Sequence, residues 1–530
     1  MKTYVSKLAF LFFGLSLIFS CEPEIVIPSN TPSDFAYTIC IDSTFNTNAP
    51  ALQSFVHGVN GNEWLLFAGR TNQSNDNGGL HNLNANYTNT SFPPISFNDS
   101  IFVYNVSTDT RTAISLDQMT AVLKKKFPSN YKAMKGFENV FRNSNSLVRQ
   151  DKEFLYVVGG YGPANFKATG NAAKNYVTYN HVARIHVPSL ISLVQGNFKG
   201  VLAAELFAFG NDKSLMSTGG ELHKVGVNFY AVTGHCFGSN CSPPGQKYLD
   251  AAYPFTAKPY QPKKDLDSIH ILNISVSTPI TDVIDPTVPV ADDLSNFRRR
   301  DGPVIPSIYK SPANGKIQEG IAIYTGVFKA GNDNNLQAWN DAIYLHPSWA
   351  NSEGRLFTED RFYNQNNFNV YSCSSFVLYD SSSELSHTFL LGGIGNGKFS
   401  ENGFLSGFTN TAVRIETNIG QYPLKSAHKL IEPGNLFTKN SENEAPFYGA
   451  EAILFANSDL PVVSAWISKS SGAWGEEETE IIDLNKIKTD EIFIGYVYGG
   501  IEAFRSNPGT YGKTFSRASN VIFKVTLKKK

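Results

Sequence analysis

The sequence predicts an all-β protein built from a repeated unit, and three observations support this fold class. Aromatic residues make up 13% of the 530 residues, glycine occurs 42 times and only 17% of the residues are charged. This composition favours strands and turns over helical bundles. Apolar strands that end in glycine recur along the chain, and so do apolar strands introduced by Asn or Asp. Recurrence of both features in the same order is typical of a repeat architecture.

Six apolar strands end in glycine. Residues 153–162, EFLYVVGGYG, show the pattern most fully. The other five are residues 63–70, 228–235, 320–328, 387–395 and 491–500. Glycine suits a backbone position that needs a positive φ or a close approach by another segment. We therefore expect each of these strands to end in a sharp turn into a loop.

Each loop leads to a second apolar strand that Asn or Asp introduces. These strands are residues 101–106, 184–190, 269–274, 342–346, 412–416 and 521–527. Asn and Asp favour such entries because their side chains hydrogen-bond the nearby backbone. A helix is expected at residues 116–127, in the link between the first and second units.

This order of parts resembles the kelch repeat of the galactose-oxidase-like superfamily, in which the second strand ends in Gly-Gly and the third strand follows Asn-Asp. Three units match the glycine pair, namely Gly159-Gly160, Gly392-Gly393 and Gly499-Gly500. Three units keep one glycine, namely Gly69, Gly234 and Gly326. The resemblance covers residues 34–530 and implies a six-bladed kelch-like β-propeller with four-stranded blades and long loops between the second and third strands.

The blade number depends on the spacing of these units. Residues 450–485 contain an additional pair of apolar segments, which we interpret as an embellishment of the sixth blade. A seven-bladed ring is the alternative.

The sequence ends soon after the third strand of the sixth blade, so residues 35–41 are expected to supply its outer strand and to hide both sheet edges.

Residues 1–20 have the composition of a targeting segment. Lys2 and Lys7 form a positively charged segment before an apolar run at residues 8–19, which is too short to span a bilayer comfortably. The run ends in Ile-Phe-Ser-Cys and resembles the lipobox of bacterial, Bacteroidota-type lipoproteins. The resemblance implies a lipid on Cys21, a tether at residues 21–33 and anchoring to the outer membrane at the cell surface, with the periplasmic face as the alternative.

Four further cysteines remain in a chain that is predicted to be exported. Cys236 and Cys241 bracket a short loop, so they are expected to form a local disulfide. Cys40 and Cys373 lie in apolar segments and are expected to be buried thiols. The Cys and His residues do not show the spacing of a metal site, and neither a metal nor another cofactor is predicted.

The six long loops are expected to leave the ring on one face, because each follows the second strand of a blade. They carry aromatic and amide side chains, which suit sugars and protein surfaces alike. The candidate ligand-binding residues are Arg70, Tyr161, His235, Arg299, Trp339, Phe399 and Tyr511. The run Arg298–Arg300 is expected to form ion pairs within the loops, and binding of a carboxylate or phosphate is its alternative role.

The predicted function is non-catalytic binding of a glycan or of an outer-membrane partner protein through this face. The formal net charge of −1 does not indicate nucleic-acid binding. The alternative is a carbohydrate-active enzyme of the sialate-mutarotase or sugar-oxidase type, which the kelch resemblance implies. Acid–base candidates for a mutarotase are Arg70, His235 and Glu319, whereas Glu451 and residues 476–478 offer the carboxylates that a glycosidase needs. A convergent Arg, His and Glu cluster would favour an enzyme.

Overall fold

The structure is a computed structural model that is dominated by strands. It describes residues 32–44, 47–72, 93–169, 175–242, 245–260, 270–282, 295–329, 337–339, 341–360, 363, 370–395, 407–410, 412–430, 437, 447–468, 473–504 and 516–530. Strands account for 50% of the structure and helices for 11%. The predicted all-β class is therefore confirmed.

The strands form successive antiparallel sets of four, which we name the first to sixth sheets in chain order. The first sheet comprises Val56–Asn60, Glu63–Phe67, Ser100–Asn105 and Thr110–Ser115, and the second Leu147–Asp151, Phe154–Val158, His181–His186 and Phe207–Asn211. The third comprises Glu221–Val225, Asn228–Val232, Tyr253–Pro259 and Leu272–Val276, and the fourth Val304–Lys310, Ile317–Tyr324, Ala342–Leu345 and Phe357–Asp360. The fifth comprises Ser374–Asp380, Leu385–Leu391, Ala412–Asn418 and Ser426–Leu430.

The sixth sheet combines segments from both ends of the chain. Its strands are Ile453–Ala456, Glu491–Tyr498, Ile522–Lys529 and Tyr37–Thr44. The N-terminal strand is antiparallel to the C-terminal one, with Tyr37 opposite Lys529 and Thr44 opposite Ile522. This pairing occupies an edge that would otherwise leave backbone groups open to another chain.

Additional elements decorate the sheets. We call Val462–Ser468 with Trp474–Asp483 the inserted hairpin, because it lies between the first two strands of the sixth sheet. Short ribbons pair Tyr161–Pro163 with Tyr176–Thr178, His235–Gly238 with Gly245–Tyr248, Val327–Lys329 with Gln337–Ala338, and Ile501–Ala503 with both Phe447–Ala450 and Ser516–Ala518.

The α-helices are Leu116–Lys126, Pro128–Met134 and Val187–Val194 within the described ranges. Single 3-10 turns occur at Pro94–Ser96, Glu138–Phe141, Phe198–Gly200, Lys213–Leu215 and Leu484–Lys486. The helix expected at residues 116–127 is present, and its start is fixed by reciprocal hydrogen bonds between Ser115 and Gln118. Among the described helices, none has both the length and the apolar character needed to cross a membrane.

Each sheet shares a hydrophobic core with its two neighbours in cyclic order. In the second sheet, Leu155 and Val157 join the core with the first sheet, whereas Tyr156 and Val158 join the core with the third. The remaining cores follow in sequence, and the last joins the sixth sheet to the first. Because both faces of the second strands are largely buried, these strands read as continuous apolar runs rather than as alternating patterns.

The core between the sixth and first sheets contains a stacked aromatic pair. Trp64 lies 3.9 Å from Phe455 between ring centroids, and 2% of Trp64 is exposed. Trp64→Ala is expected to lower the free energy of unfolding by about 3–5 kcal/mol, because it leaves a large cavity where the two sheets meet. Urea denaturation measures this loss. Trp474→Ala is the matched control, since 42% of Trp474 is exposed and a change of about 0.5 kcal/mol or less is expected there. Similar losses in the two variants would contradict the role of the aromatic stack.

One predicted strand assignment in the third sheet is wrong. Residues 269–274 were expected to form its third strand, but Tyr253–Pro259 occupies that position and Leu272–Val276 is the fourth strand. Pro254 and Pro259 made the true third strand resemble a loop, because proline is rare inside strands. The structure accommodates Pro254 near the start of the strand and Pro259 at its end.

Candidate functional site

Six residues occupy equivalent positions just ahead of the first strand of each sheet. We call them the belt residues: Ser54, Asn145, Gly219, Asp301, Ser372 and Glu451. All six have a positive φ, between 49° and 66°. Five successive backbone N–H groups, from Asn145 to Glu451, each donate to the carbonyl oxygen of the preceding belt residue over 2.7–3.3 Å. Side chains held in a strained backbone conformation are frequently functional.

The belt closes through side chains at Glu451. Its carboxylate accepts hydrogen bonds from the Ser54 hydroxyl and from Nε2 of Gln53. Gln53 Oε1 in turn accepts from Nε of Arg70 over 2.7 Å. Burial lowers the pKa of Arg70 to about 10, and the charge of Glu451 opposes that shift. Arg70 therefore remains a cation at neutral pH, linked to the Glu451 carboxylate through one amide.

A second charged group lies around Asp301. Nε of Arg300 is 3.3 Å from Oδ2 of Asp301, and Nη1 of Arg300 is 3.2 Å from Nε2 of His235. The Asp301 side chain keeps 27% of its surface accessible. Burial raises its pKa to about 6, Arg300 opposes this rise and Glu451 adds to it. Asp301 can therefore exist as either acid or base near neutral pH.

His235 is held as a neutral imidazole. Burial lowers its pKa well below the ordinary value, and the charge of Arg300 lowers it further. Because Arg300 can only donate, the hydrogen bond between them requires an acceptor at Nε2. The proton of the neutral ring is thereby assigned to Nδ1.

Tyrosines surround these charged groups. Tyr161 and Tyr176 have ring centroids 5.5 Å apart and share a small core with Phe97. Burial raises the pKa of both hydroxyls, and Arg70 opposes the rise at Tyr176. Burial also raises the pKa of Tyr371, and the charge of Asp301 adds to that effect. These phenols remain protonated and can donate hydrogen bonds.

The disulfide loop braces one of these tyrosines. Cys236 and Cys241 are joined by a disulfide, with Cα atoms 5.7 Å apart. Within the loop, the Phe237 backbone N–H donates to the Thr178 hydroxyl over 2.7 Å, and Asn240 bonds both the N–H and the carbonyl of Thr178. The loop thus fixes the short strand that carries Tyr176.

The structure brings some of the predicted ligand-binding residues together and separates others. Arg70, Tyr161 and His235 lie around the belt. Arg299 is fully buried, forms an ion pair with Asp341 over 2.8 Å and stacks on Trp339 at 4.2 Å. The ion pairing predicted for residues 298–300 is present at Arg299. Because Arg299 is buried between Asp341 and Trp339, Arg299 and Trp339 have a structural role inside the protein. Phe399, Tyr511 and Cys21 lie outside the described residues, as does the region before residue 32.

Glu319 lies at the opposite end of the strands from Arg70 and His235. It sits near the start of the second strand of the fourth sheet, whereas Arg70 and His235 follow the ends of second strands. Burial raises its pKa to about 8. The grouping of Glu319 with Arg70 and His235 is therefore wrong in space.

The sequence prediction missed Asp301 and Arg300 as partners of His235, and it considered Glu451 only for a glycosidase. The available signal was positional, since each belt residue directly precedes a first strand. Among the described residues, no three His, Cys, Asp or Glu side chains are arranged to hold a metal ion.

Comparisons with known proteins find similarity to solved structures. No protein-family model matches the sequence, and no curated protein matches it. A solved structure entitled "Structure of YjhT" aligns with a TM-score of 0.38 and 9% sequence identity, covering 82% of this chain and 95% of that one.

Proposed function

We propose that the six sheets are the blades of one closed kelch-like propeller whose central channel opens at the belt. The cyclic order of the cores supports this arrangement, as does the shared backbone conformation of the belt residues. The pairing of the inserted hairpin with the fourth and fifth sheets supports six blades rather than seven. For the N-terminus, the lipobox-like segment supports a lipid anchor at Cys21 and outer-membrane attachment.

We infer that the propeller binds a small carbohydrate at the channel mouth and performs acid–base chemistry on it. The convergence of Arg70, Glu451, Asp301, Arg300 and His235 at one end of the strands carries this proposal. Two carboxyl groups with different surroundings, beside fixed cations and phenols, suit proton transfer to and from sugar hydroxyls. A flat aromatic platform for glycan binding has less support, because the rings of Tyr161 and Tyr176 are buried and tilted against each other in the small core with Phe97.

The simplest reaction for this group is interconversion of sugar anomers. Opening the hemiacetal requires one proton to leave the anomeric hydroxyl and another to reach the ring oxygen. In our assignment Glu451 accepts the first proton and Asp301 delivers the second. Ring closure on the other face reverses both transfers, so the reaction requires no cofactor and leaves the protein unchanged.

NMR exchange spectroscopy on reducing sugars tests this function directly. The chain without residues 1–21 is expected to accelerate α–β interconversion of at least one sugar in a panel, and Glu451→Gln is expected to reduce that rate by about 100-fold. Glu476→Gln is the matched control, because Glu476 is exposed on the inserted hairpin. If neither sugar binding nor acceleration occurs across the panel, the proposed function is wrong. Binding without acceleration would leave a carbohydrate-binding protein.

A further inference from the structure

The inserted hairpin is bonded to sheets on several sides of the ring. Trp466 pairs with Gln318 at the start of the second strand of the fourth sheet, and Ile482 pairs with Leu378 near the end of the first strand of the fifth. Both contacts lie away from the belt, since the belt precedes each first strand. Ile481 and Ile482 are buried in the cores on either side of the fifth sheet.

An ion pair connects the hairpin to the opposite side of the ring. Glu480 is 2.7 Å from Nη2 of Arg149, which lies on the first strand of the second sheet. The second and fifth sheets are three positions apart in the cyclic order of six, and therefore stand opposite each other. An element that is bonded to both must cross the axis of the ring.

Charged groups of neighbouring sheets lie close to this crossing. Glu319 of the fourth sheet interacts electrostatically with Arg149, with Glu480 and Glu477 of the hairpin, and with Lys224 of the third sheet. Lys224 forms an ion pair with Asp151 of the second sheet over 3.1 Å. Charged side chains from three sheets are thus linked electrostatically to the hairpin or to one another.

We propose that the inserted hairpin seals the end of the channel opposite the belt, with the Arg149–Glu480 ion pair as its latch. The consequence for ligands rests on the proposed function: the sugar enters and leaves across the belt alone. A sealed channel accepts a free small sugar or the terminal unit of a longer glycan, whereas a polymer cannot thread through it. The seal therefore limits the substrate class to chain ends and small sugars.

A thiol placed next to the hairpin, at the residue after Gln318, reports the seal without any ligand. Glu319→Cys, in the chain without residues 1–21 and with Cys40 and Cys373 replaced, is expected to react slowly with a maleimide while the hairpin is latched. Adding Arg149→Glu is expected to accelerate labelling about fivefold, because loss of a partly buried ion pair favours local opening. Adding Glu480→Arg as well restores the opposite charges and is expected to return the rate to its slow value.

Replacing the inserted hairpin with a short Gly-Ser turn is expected to make the thiol introduced by Glu319→Cys react faster than in any latched variant. If this chain does not fold, the charge-reversal series alone decides the question. Equal labelling rates in the latched, unlatched and restored chains would show that the hairpin does not seal the channel. Anomer exchange is measured separately, so a failure of the proposed sugar chemistry leaves the labelling result interpretable, and the converse also holds.

Discussion

Gly159→Ala is expected to lower the free energy of unfolding by about 2–5 kcal/mol. Gly159 has a φ of 69°, and a Cβ there would lie well within 3.0 Å of the Ser217 carbonyl oxygen in the segment that enters the third sheet. The left-handed conformation costs a non-glycine residue about 1–2 kcal/mol. Overpacking against a fixed backbone adds about 1–3 kcal/mol. Urea denaturation at constant m-value measures the sum.

Gly61→Ala separates these two costs. Gly61 has a φ of 59° in the turn between the first two strands of the first sheet, and a Cβ there would meet no atom within 4 Å. Only the conformational cost of about 1 kcal/mol is expected. Equal destabilisation by the two substitutions would mean that close packing between neighbouring sheets does not explain the glycine at position 159.

The glycine pairs explain why the repeat could be recognised only in part from the sequence. All six second strands end in two consecutive residues with positive φ, but Ala68, Thr233 and Thr325 occupy the first position in three of them. The first position tolerates these residues at the cost of a strained backbone. The second is always glycine. The repeat is therefore a repeat of backbone conformation, which the amino-acid pattern records incompletely.

The candidate site could not be predicted for the same reason. The belt residues have one conformation and one hydrogen-bonding role, yet they comprise five residue types. Their approach to one another depends on the packing of the sixth sheet against the first, which brings Glu451 against Ser54. Arg70 and His235 were found because they follow the recognisable glycine turns. Asp301 was overlooked because it lies at the end of an arginine run and follows no such turn.

Asp301→Asn is expected to reduce the rate of anomer exchange by about 100- to 10,000-fold, the usual contribution of one general acid. In the unmodified chain the rate should fall as the pH rises through about 6, because burial raises the Asp301 pKa to that value and the carboxyl delivers a proton only below it. The rate that remains in Asp301→Asn should not fall as the pH rises through this range. Exchange NMR across about pH 5–8, a range that brackets this pKa, measures the rates of the unmodified chain and of the variant.

Stability distinguishes a catalytic Asp301 from a structural one. Since its pKa is raised on folding, ionised Asp301 destabilises the folded state increasingly as the pH rises from its ordinary pKa through about 6. Asp301→Asn removes that charge, so we expect unchanged or higher stability at pH values above about 6 together with a large loss of rate. Asp99→Asn, at an exposed aspartate on the loop-bearing side, should change neither property. A variant at position 301 that loses stability and rate in parallel would instead assign Asp301 to the support of the belt, and the proposed reaction would then need another group to protonate the ring oxygen.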